Sequence, residues 1–426
     1  MIRCRVAMAL AFACLGISAR AAEPPAGRWP GKPFRDLRSQ QTEYAGPGRE
    51  APPAADVKEV LIGYFAPGDP AHPDAGALWQ AAQLAVEQAN QAGGLQGRPF
   101  RLVAAWSESP WTAGVAELAR LVYREKVWAI LGGIDGPSTH LAEQVVAKGR
   151  LVLVSPVSTD KTSNLTNVPW MFSCAPGDHL QAPLLATEIA GRSAPRGFAV
   201  VSADDHDSRL FAAELGKEFS RRRMVPLLKF ELTQSMAEGA IRSTAGQPAD
   251  TAQPPLPPRD RAADAAVARV TAARPSAVVI VAPAERSARL VTLLRGQGFA
   301  GDVLGGPWMG RRRFVVEAGA AAEGVVFPLL WDAPATGQEF LTAFQARFGT
   351  PPDYAAAHTY DATRLLLAAI AQGGLNRARI RDAVERLSPW PGATGVVRWD
   401  PAGSNTRPAL LGTIRDGRVE RVGGSR

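Results

Sequence analysis

The sequence predicts an α/β protein made of two similar units, each with a parallel sheet covered on both faces. Three observations carry this. Short apolar strands alternate with amphipathic helices from residue 57 onward, the alternation restarts near residue 195, and late helical material follows the second unit. At 426 residues the chain is comfortable for two domains, taking about 100–200 residues per domain. Its 46% hydrophobic and 21% charged content is that of a globular protein with a sizeable core.

Before the alternation starts, the N-terminus has its own character. "MIRCR" carries two arginines, Val6 to Ile17 is apolar, and Ala19-Arg20-Ala21 forms a small-x-small site before Ala22. Those are the parts of a secretory signal peptide, read as residues 1–21. The apolar stretch is shorter than the roughly 20 residues of a membrane span. A lipoprotein anchor at Cys14 lacks the usual leucine-small-small approach. Cleavage removes Cys4 and Cys14 and leaves Cys174 alone, so stability rests on packing and Cys174 reads as a buried small hydrophobe. Residues 22–56, rich in proline, glycine and charge, read as an extended lead-in, with order beginning at Val57.

The first unit starts with the buried-strand run "VKEVLIGYFAP" (57–67). A helix at 76–94 follows, with Leu78, Ala82, Ala85, Val86 and Ala89 on one face and the Gly93-Gly94 pair as its stop. Strand 98–106, helix 112–126, strand 127–133, helix 138–149 and strand 151–156 continue the pattern. The second unit reads as strand 195–203, helix 208–222, strand 225–232, helix 261–273, strand 277–283, helix 287–298 and strand 302–306. Within this second unit, between strand 225–232 and helix 261–273, residues 233–260 hold a proline cluster and read as a surface insertion. After "GVVFPLLWD" (324–332) come helices at 337–348, 356–373 and 379–387, then a tail with the alternation of an antiparallel hairpin. Continuous apolar strands of this kind belong to parallel sheets, whose ligands sit beyond the carboxyl ends of the strands. That places functional loops at 66–75, 107–112, 133–139, 155–163, 203–208, 283–287 and 306–313.

The enzyme classes that these loops bring to mind fail on chemistry. "GGIDGPSTH" (132–140) lacks the G-x-G-x-x-G order, and no "GK[ST]" stands on a strand–helix turn, so no phosphate cradle is present. Ser138 has Gly136 two residues before it but His140 two after, where a nucleophile elbow needs glycine. Five histidines without tight spacing give no triad. "DDHD" (204–207) has the residue types of a metal cluster, but no second ligand group shows metal spacing, so it reads as a solvated acidic turn and no metal is expected. No cofactor motif occurs. The net charge of +8 comes from arginines scattered among acids, with runs only at 221–223 and 311–313, which suits a high-GC coding bias better than nucleic acid.

Binding remains. Hydroxyls and free amides at a helix N-terminus satisfy an anion such as a carboxylate. Ser138 and Thr139 open the helix of "GPSTH", and Val157, Ser158 and Thr159 lie just past the next strand end. One such hydroxyl alone is a simple N-cap; a matching pair at successive strand ends points to a pocket.

These stretches carry a family likeness. "IGYFAP…GALWQAAQLAVEQANQAGGLQGRPFRLVAAW", "LVYREKVWAILGGIDGPSTHLAEQVVAKGRLVLVSPVSTDKTSNL", "GFAVVSADD" and "YDATRLLLAAIA" resemble the leucine/isoleucine/valine-binding family of periplasmic solute receptors, over about residues 57–420. The resemblance implies the type I periplasmic binding fold: two Rossmann-like lobes, three crossovers and a hinged cleft. It divides the chain into 57–175 plus 329–405 as lobe 1 and 176–328 plus 406–426 as lobe 2. It also implies that Ser138 and Thr159 hold a ligand carboxylate and that the Val157 carbonyl receives an ammonium. The second lobe departs from the family: Asp207 and Pro283 stand where relatives commonly place aromatics, and no acid occurs near Pro307 and Trp308. Asp207 then becomes the candidate countercharge, and Trp79, Trp111 and Trp308 candidate pocket walls, with plain packing as the alternative for each. The expected function is a periplasmic solute-binding protein that delivers a small carboxylate-bearing ligand to an ABC transporter permease, without catalysis and without spanning the membrane. The alternative is a ligand sensor or assembly partner on the same fold, for which the lead-in and the proline-rich insertion speak. A permease and ATPase encoded nearby favour transport; a sensor kinase or dehydrogenase neighbour favours sensing.

Overall fold

A computed structural model describes residues 44–54, 56–108, 110–165, 167–233, 261–333 and 335–423. The expected signal peptide, Cys14, most of the lead-in and nearly all of the 233–260 insertion lie outside the described residues.

Two sheets organise the chain. The first holds β1 (Val60–Phe65), β2 (Phe100–Ala105), β3 (Ile130–Gly132), β4 (Leu153–Ser155), β5 (Met171–Pro176) and the short β13 (Ser404–Asn405), in the order β2-β1-β3-β4-β5-β13. All its pairings are parallel, for example Val60 with Phe100 and Ile130 with Leu153. The second holds β6 (Phe198–Ala203), β7 (Leu228–Leu232), β8 (Ala277–Val281), β9 (Asp302–Gly305), β10 (Val326–Leu329), β14 (Leu410–Arg415) and β15 (Arg418–Arg421), in the order β7-β6-β8-β9-β10-β14-β15. Its first five strands are parallel, and β14 and β15 add the expected antiparallel hairpin at its edge. A small hairpin, β11 (Trp390–Gly392) with β12 (Gly395–Val397), stands apart.

The parallel strands are buried on both faces, which is why they read as continuous apolar runs rather than alternating ones: "VLIGYF", "FAVVSA" and "AVVIV" are buried almost throughout. Helices α1 (Gly76–Gln91), α2 (Val115–Ala119) and α3 (Gly136–Gly149) cover the first sheet, as do α9 (Gln338–Phe348), α10 (Tyr354–Gly373) and α11 (Arg377–Arg386). Helices α4 (Asp178–Arg192), α5 (His206–Arg221), α6 (Arg261–Ala273), α7 (Ala284–Gly296) and α8 (Arg312–Ala318) cover the second. The chain passes between the sheets three times: after β5, after β10 and after β13. Helix α10 is apolar nearly all round and lies between α1 and α11, so its sequence shows little amphipathic contrast.

Three readings of the sequence need correction. Order begins before Val57: Tyr44 stacks on Trp170 with ring centroids 4.5 Å apart, and Arg49 pairs with Asp382 at 2.5 Å. An aromatic docks this part of the lead-in beside β5 and a cation docks it onto α11, which composition alone does not reveal. The helix expected at 138 starts at Gly136, because Asp135 rather than Ser138 is its N-cap. The strand expected at 225–232 begins only at Leu228, with Val225 exposed and unpaired with the sheet. The alternation also left out β5 and α4, whose turn "APGD" lies at the first passage between sheets.

Candidate functional site

In each sheet the strand order reverses direction of growth at one point, between β1 and β3 and between β6 and β8, where a crevice forms beyond the strand ends. The two crevices face each other, and the N-termini of α3 and α5 meet across them.

On the first-lobe side, Gly133 makes the turn from β3 with φ of +74°, and a Cβ there would stand 2.4 Å from the Thr139 hydroxyl. Asp135 then adopts extended backbone and caps α3, its carboxylate accepting from the Ser138 amide at 2.7 Å. Ser138 completes a capping box: its hydroxyl donates to the Asp135 carboxylate and accepts from the Ile134 and Asp135 amides at 3.1 and 3.3 Å. Ser138 is fully buried. Thr139 lies 3.4 Å from the Ser155 hydroxyl, which donates to the Gly133 carbonyl at 2.7 Å and so ties the ends of β3 and β4 together.

Beyond β4, Val157, Ser158 and Thr159 are buried. The Ser158 hydroxyl has no hydrogen-bond partner among the described residues. The Thr159 carbonyl accepts from the Asp178 amide at 2.8 Å, linking this loop to the start of α4. Asp160 follows with a fully buried side chain. Its Oδ1 accepts from the Thr162 amide and hydroxyl at 2.7 and 2.6 Å, which turns Oδ2 toward two imidazoles: His140 Nε2 at 2.8 Å and His206 Nε2 at 2.9 Å. Burial alone raises the Asp160 carboxyl, but hydrogen bonds from His140, Thr162 and His206 outweigh it and hold the group below the ordinary carboxylate range. The same bond to Asp160, with help from Glu143, pushes His140 up to about 9.

From the second lobe, Asp205 caps α5 and Asp207 reaches across the crevice. The Gly136 amide donates to both Asp207 carboxylate oxygens, at 2.9 and 3.2 Å. A carboxyl group thus sits on the open N-terminus of α3, where partial positive charge and an unsatisfied amide favour its charged form. Burial raises the Asp207 carboxyl well above its usual value, and the charge of Asp135 adds to this. Burial raises Asp178 likewise, more than its bond with the Thr159 hydroxyl lowers it. Lys161 reaches Glu214 on α5 at 2.7 Å. Two further ion pairs involve the segment after β9: Arg311 meets Asp353, the N-cap of α10, at 2.7 Å, and Arg313 meets Asp74 at 2.5 Å.

Loops 133–139, 155–163 and 203–208 therefore converge and bring Ser138, Thr139, Val157, Ser158, Thr159 and Asp207 to one place. Trp308 is elsewhere in contact terms: it packs edge-on against Phe211 at 5.7 Å within the apolar layers of the second sheet. Trp79 tilts onto Tyr64 at 5.0 Å, and Trp111 is more than half exposed. Cys174 is free and buried, its thiol raised by burial. The residues that sequence reasoning passed over are Asp135, His140, Asp160 and Asp178. Asp135 was legible as a capping signal before "PS"; the other three had no local pattern that pointed to the crevice, since Asp178 meets Thr159 across 19 residues, Asp160 meets His140 across 20 and His206 across 46.

A family model described as periplasmic binding protein matches residues 63–224 and 231–418. A curated amino acid binding protein of Pseudomonas aeruginosa is 26% identical over 187 residues, which is 44% of this chain and 48% of that protein, so the match spans about half the length of that relative. In fold, the chain is similar to the branched-chain amino acid transporter substrate-binding protein LivJ from Streptococcus pneumoniae in complex with isoleucine. The TM-score is 0.72 at 21% identity, covering 86% of this chain and 99% of that one. A solute-binding protein of an ABC transporter from R. palustris in complex with benzoate gives a TM-score of 0.70 at 16% identity, covering 86% and 96%. No helix among the described residues is long and apolar enough to cross a membrane. The family model spans most of both sheets and all three passages between them, including the facing N-termini of α3 and α5, and the chain belongs to the periplasmic binding protein family.

Proposed function

We propose that the protein is the solute-binding component of an ABC-type importer, exported through its N-terminal leader to the periplasm. It takes a small carboxylate-bearing organic ligand between its lobes and releases it unaltered to a permease. One observation carries the reading: the Gly136 amide at the N-terminus of α3 already holds a carboxylate, and that carboxylate belongs to the opposite lobe. Asp207 stands in for the anionic group of a ligand. Burial disfavours its charged form there, so a ligand carboxylate that takes the amide lets Asp207 move back toward water. The hydroxyls of Ser158 and Thr159 line the same loop, and the Ser158 hydroxyl has a free hydrogen to offer. The ligands of the two solved relatives, isoleucine and benzoate, have a carboxylate in common and differ in the ammonium. The absence of an acid near Pro307 and Trp308 fits a ligand in which the ammonium is dispensable.

The test is a thermal-shift and calorimetric screen of amino acids, aromatic carboxylates and their neutral amides. A true ligand at 100 times its dissociation constant stabilises the protein by about 2.7 kcal/mol. Carboxylates are expected to shift the midpoint and their amides to leave it unchanged. Thr159→Val should weaken binding by about 1–3 kcal/mol through loss of a donor to the anion. Equal shifts by amides and carboxylates, or unaltered affinity in Thr159→Val, would defeat the assignment.

A further inference from the structure

We propose that His140, Asp160 and His206 form a binding site for one divalent transition-metal ion of the zinc class, and that this ion clips the two lobes together. The three donor atoms, His140 Nε2, Asp160 Oδ2 and His206 Nε2, all lie within 4.8 Å of one another. His140 comes from α3 and Asp160 from the loop after β4, both on the first lobe, whereas His206 is the first residue of α5 on the second. Two imidazole nitrogens converge on a single carboxylate oxygen, at 2.8 and 2.9 Å. A tetrahedral zinc with bonds near 2.0–2.1 Å holds neighbouring donors about 3.3 Å apart. Each imidazole nitrogen must therefore part from Asp160 Oδ2 by about 0.5 Å, and the two nitrogens, within 4.8 Å of each other, must draw together by up to about 1.5 Å to admit the ion.

The surroundings are those of a prepared ligand set. Thr162 fixes Asp160 by binding Oδ1 with both its amide and its hydroxyl, which leaves Oδ2 as the free corner. On the far side of the His140 ring, Nδ1 faces the Glu143 carboxylate at 3.8 Å, the outer carboxylate that orients many metal-bound histidines. Two imidazoles with one carboxylate select zinc-like cations over calcium or magnesium, which want six or more oxygens. Three protein donors leave a fourth position for water or for an oxygen of a ligand. That position lies beside the α3 N-terminus, since a Cβ on Gly136 would come 2.5 Å from the His206 ring and 2.8 Å from Asp160 Oδ2. The inference does not depend on which organic solute the cleft takes.

The experiment uses the untagged chain, stripped with a chelator that is then removed. Zinc chloride is titrated by calorimetry, cobalt(II) serves as a visible-absorption probe, and the radius of gyration is measured by small-angle X-ray scattering with and without zinc. One ion per chain is expected, with a smaller radius in zinc and no response to magnesium or calcium. His206→Ala and His140→Ala should each weaken binding by at least about 100-fold, beyond the 10–100-fold typical of losing an outer partner, and the zinc-dependent compaction should vanish. His206 is exposed, so its variant keeps the test valid if His140→Ala does not fold. No saturable zinc binding, or full affinity in His206→Ala, overturns the proposal and leaves the three residues as a hydrogen-bonded cluster. Failure of every carboxylate in the solute screen would instead defeat the functional reading and leave this one standing.

Discussion

Gly136 is the residue on which the closed arrangement turns. Its backbone is ordinary helix, so alanine there is unstrained within α3, yet a Cβ would meet Asp207 Oδ1 at 2.4 Å, His206 at 2.5 Å and Asp160 at 2.8 Å. Two of those three neighbours belong to the opposite lobe. Gly136→Ala is therefore expected to wedge the lobes apart without harming either core. Scattering should give a larger radius of gyration than the parent, with solute binding lost and the unfolding midpoint moved little; an unchanged radius would mean that the lobes close around the methyl group. Ser138 behaves differently from what its hydroxyl suggests. That hydroxyl is engaged in the capping box, so Ser138→Ala should lower stability by about 1 kcal/mol in urea unfolding. The sequence showed a hydroxyl at a helix start, and it could not show that Asp135 had already claimed it.

Among the elements, α10 and the β11–β12 hairpin depend on one buried carboxylate. Asp361 accepts from the Ala393 amide at 2.7 Å, the Thr394 amide at 2.8 Å and the Thr394 hydroxyl at 2.7 Å. Burial raises its carboxyl, and those donors pull it back. Removing the acceptor leaves three donors without a partner in a closed space, so Asp361→Ala should cost on the order of 3 kcal/mol, measured by denaturant unfolding. A loss below about 0.5 kcal/mol would show that water replaces the carboxylate. The helix itself was legible from "YDATRLLLAAIA", because its length and apolar content exclude a strand. Its tie to the hairpin was not, since 32 residues separate Asp361 from Ala393.

For the molecule as a whole, the Arg311–Asp353 pair is a second tie between the lobes besides the Asp207–Gly136 contact. Burial raises the Asp353 carboxyl, but Arg311 and the amides it caps outweigh this and leave it below its ordinary value. A carboxylate lowered by folding contributes stability that is complete above its unfolded value. That stability is lost as the pH falls through the folded one, so this contribution should disappear below about pH 4. Thermal melts from neutral to acid pH should show it, and Asp353→Asn should flatten that stretch of the curve; an unaltered acid limb would place the loss at other carboxylates. Arg311→Met should cost about 3–5 kcal/mol by leaving the buried Asp353 charge unpaired.

Fold class and strand-end chemistry were local properties and followed from order along the chain. Apolar runs of strand length, helices of 3.6-residue period and their restart near residue 195 sufficed for two parallel α/β units, because each signal lies within one stretch of backbone. The crevice is different in kind. Asp207 on the α3 amide, His206 beside Asp160, Lys161 with Glu214 and Arg311 with Asp353 join residues 42 to 71 positions apart, on opposite lobes where both partners are assigned. Such contacts arise from how the two sheets and their helices dock. No periodicity or spacing in the chain encodes that docking, which is why "DDHD" read as a solvated turn until folding set it against His140 and Asp160.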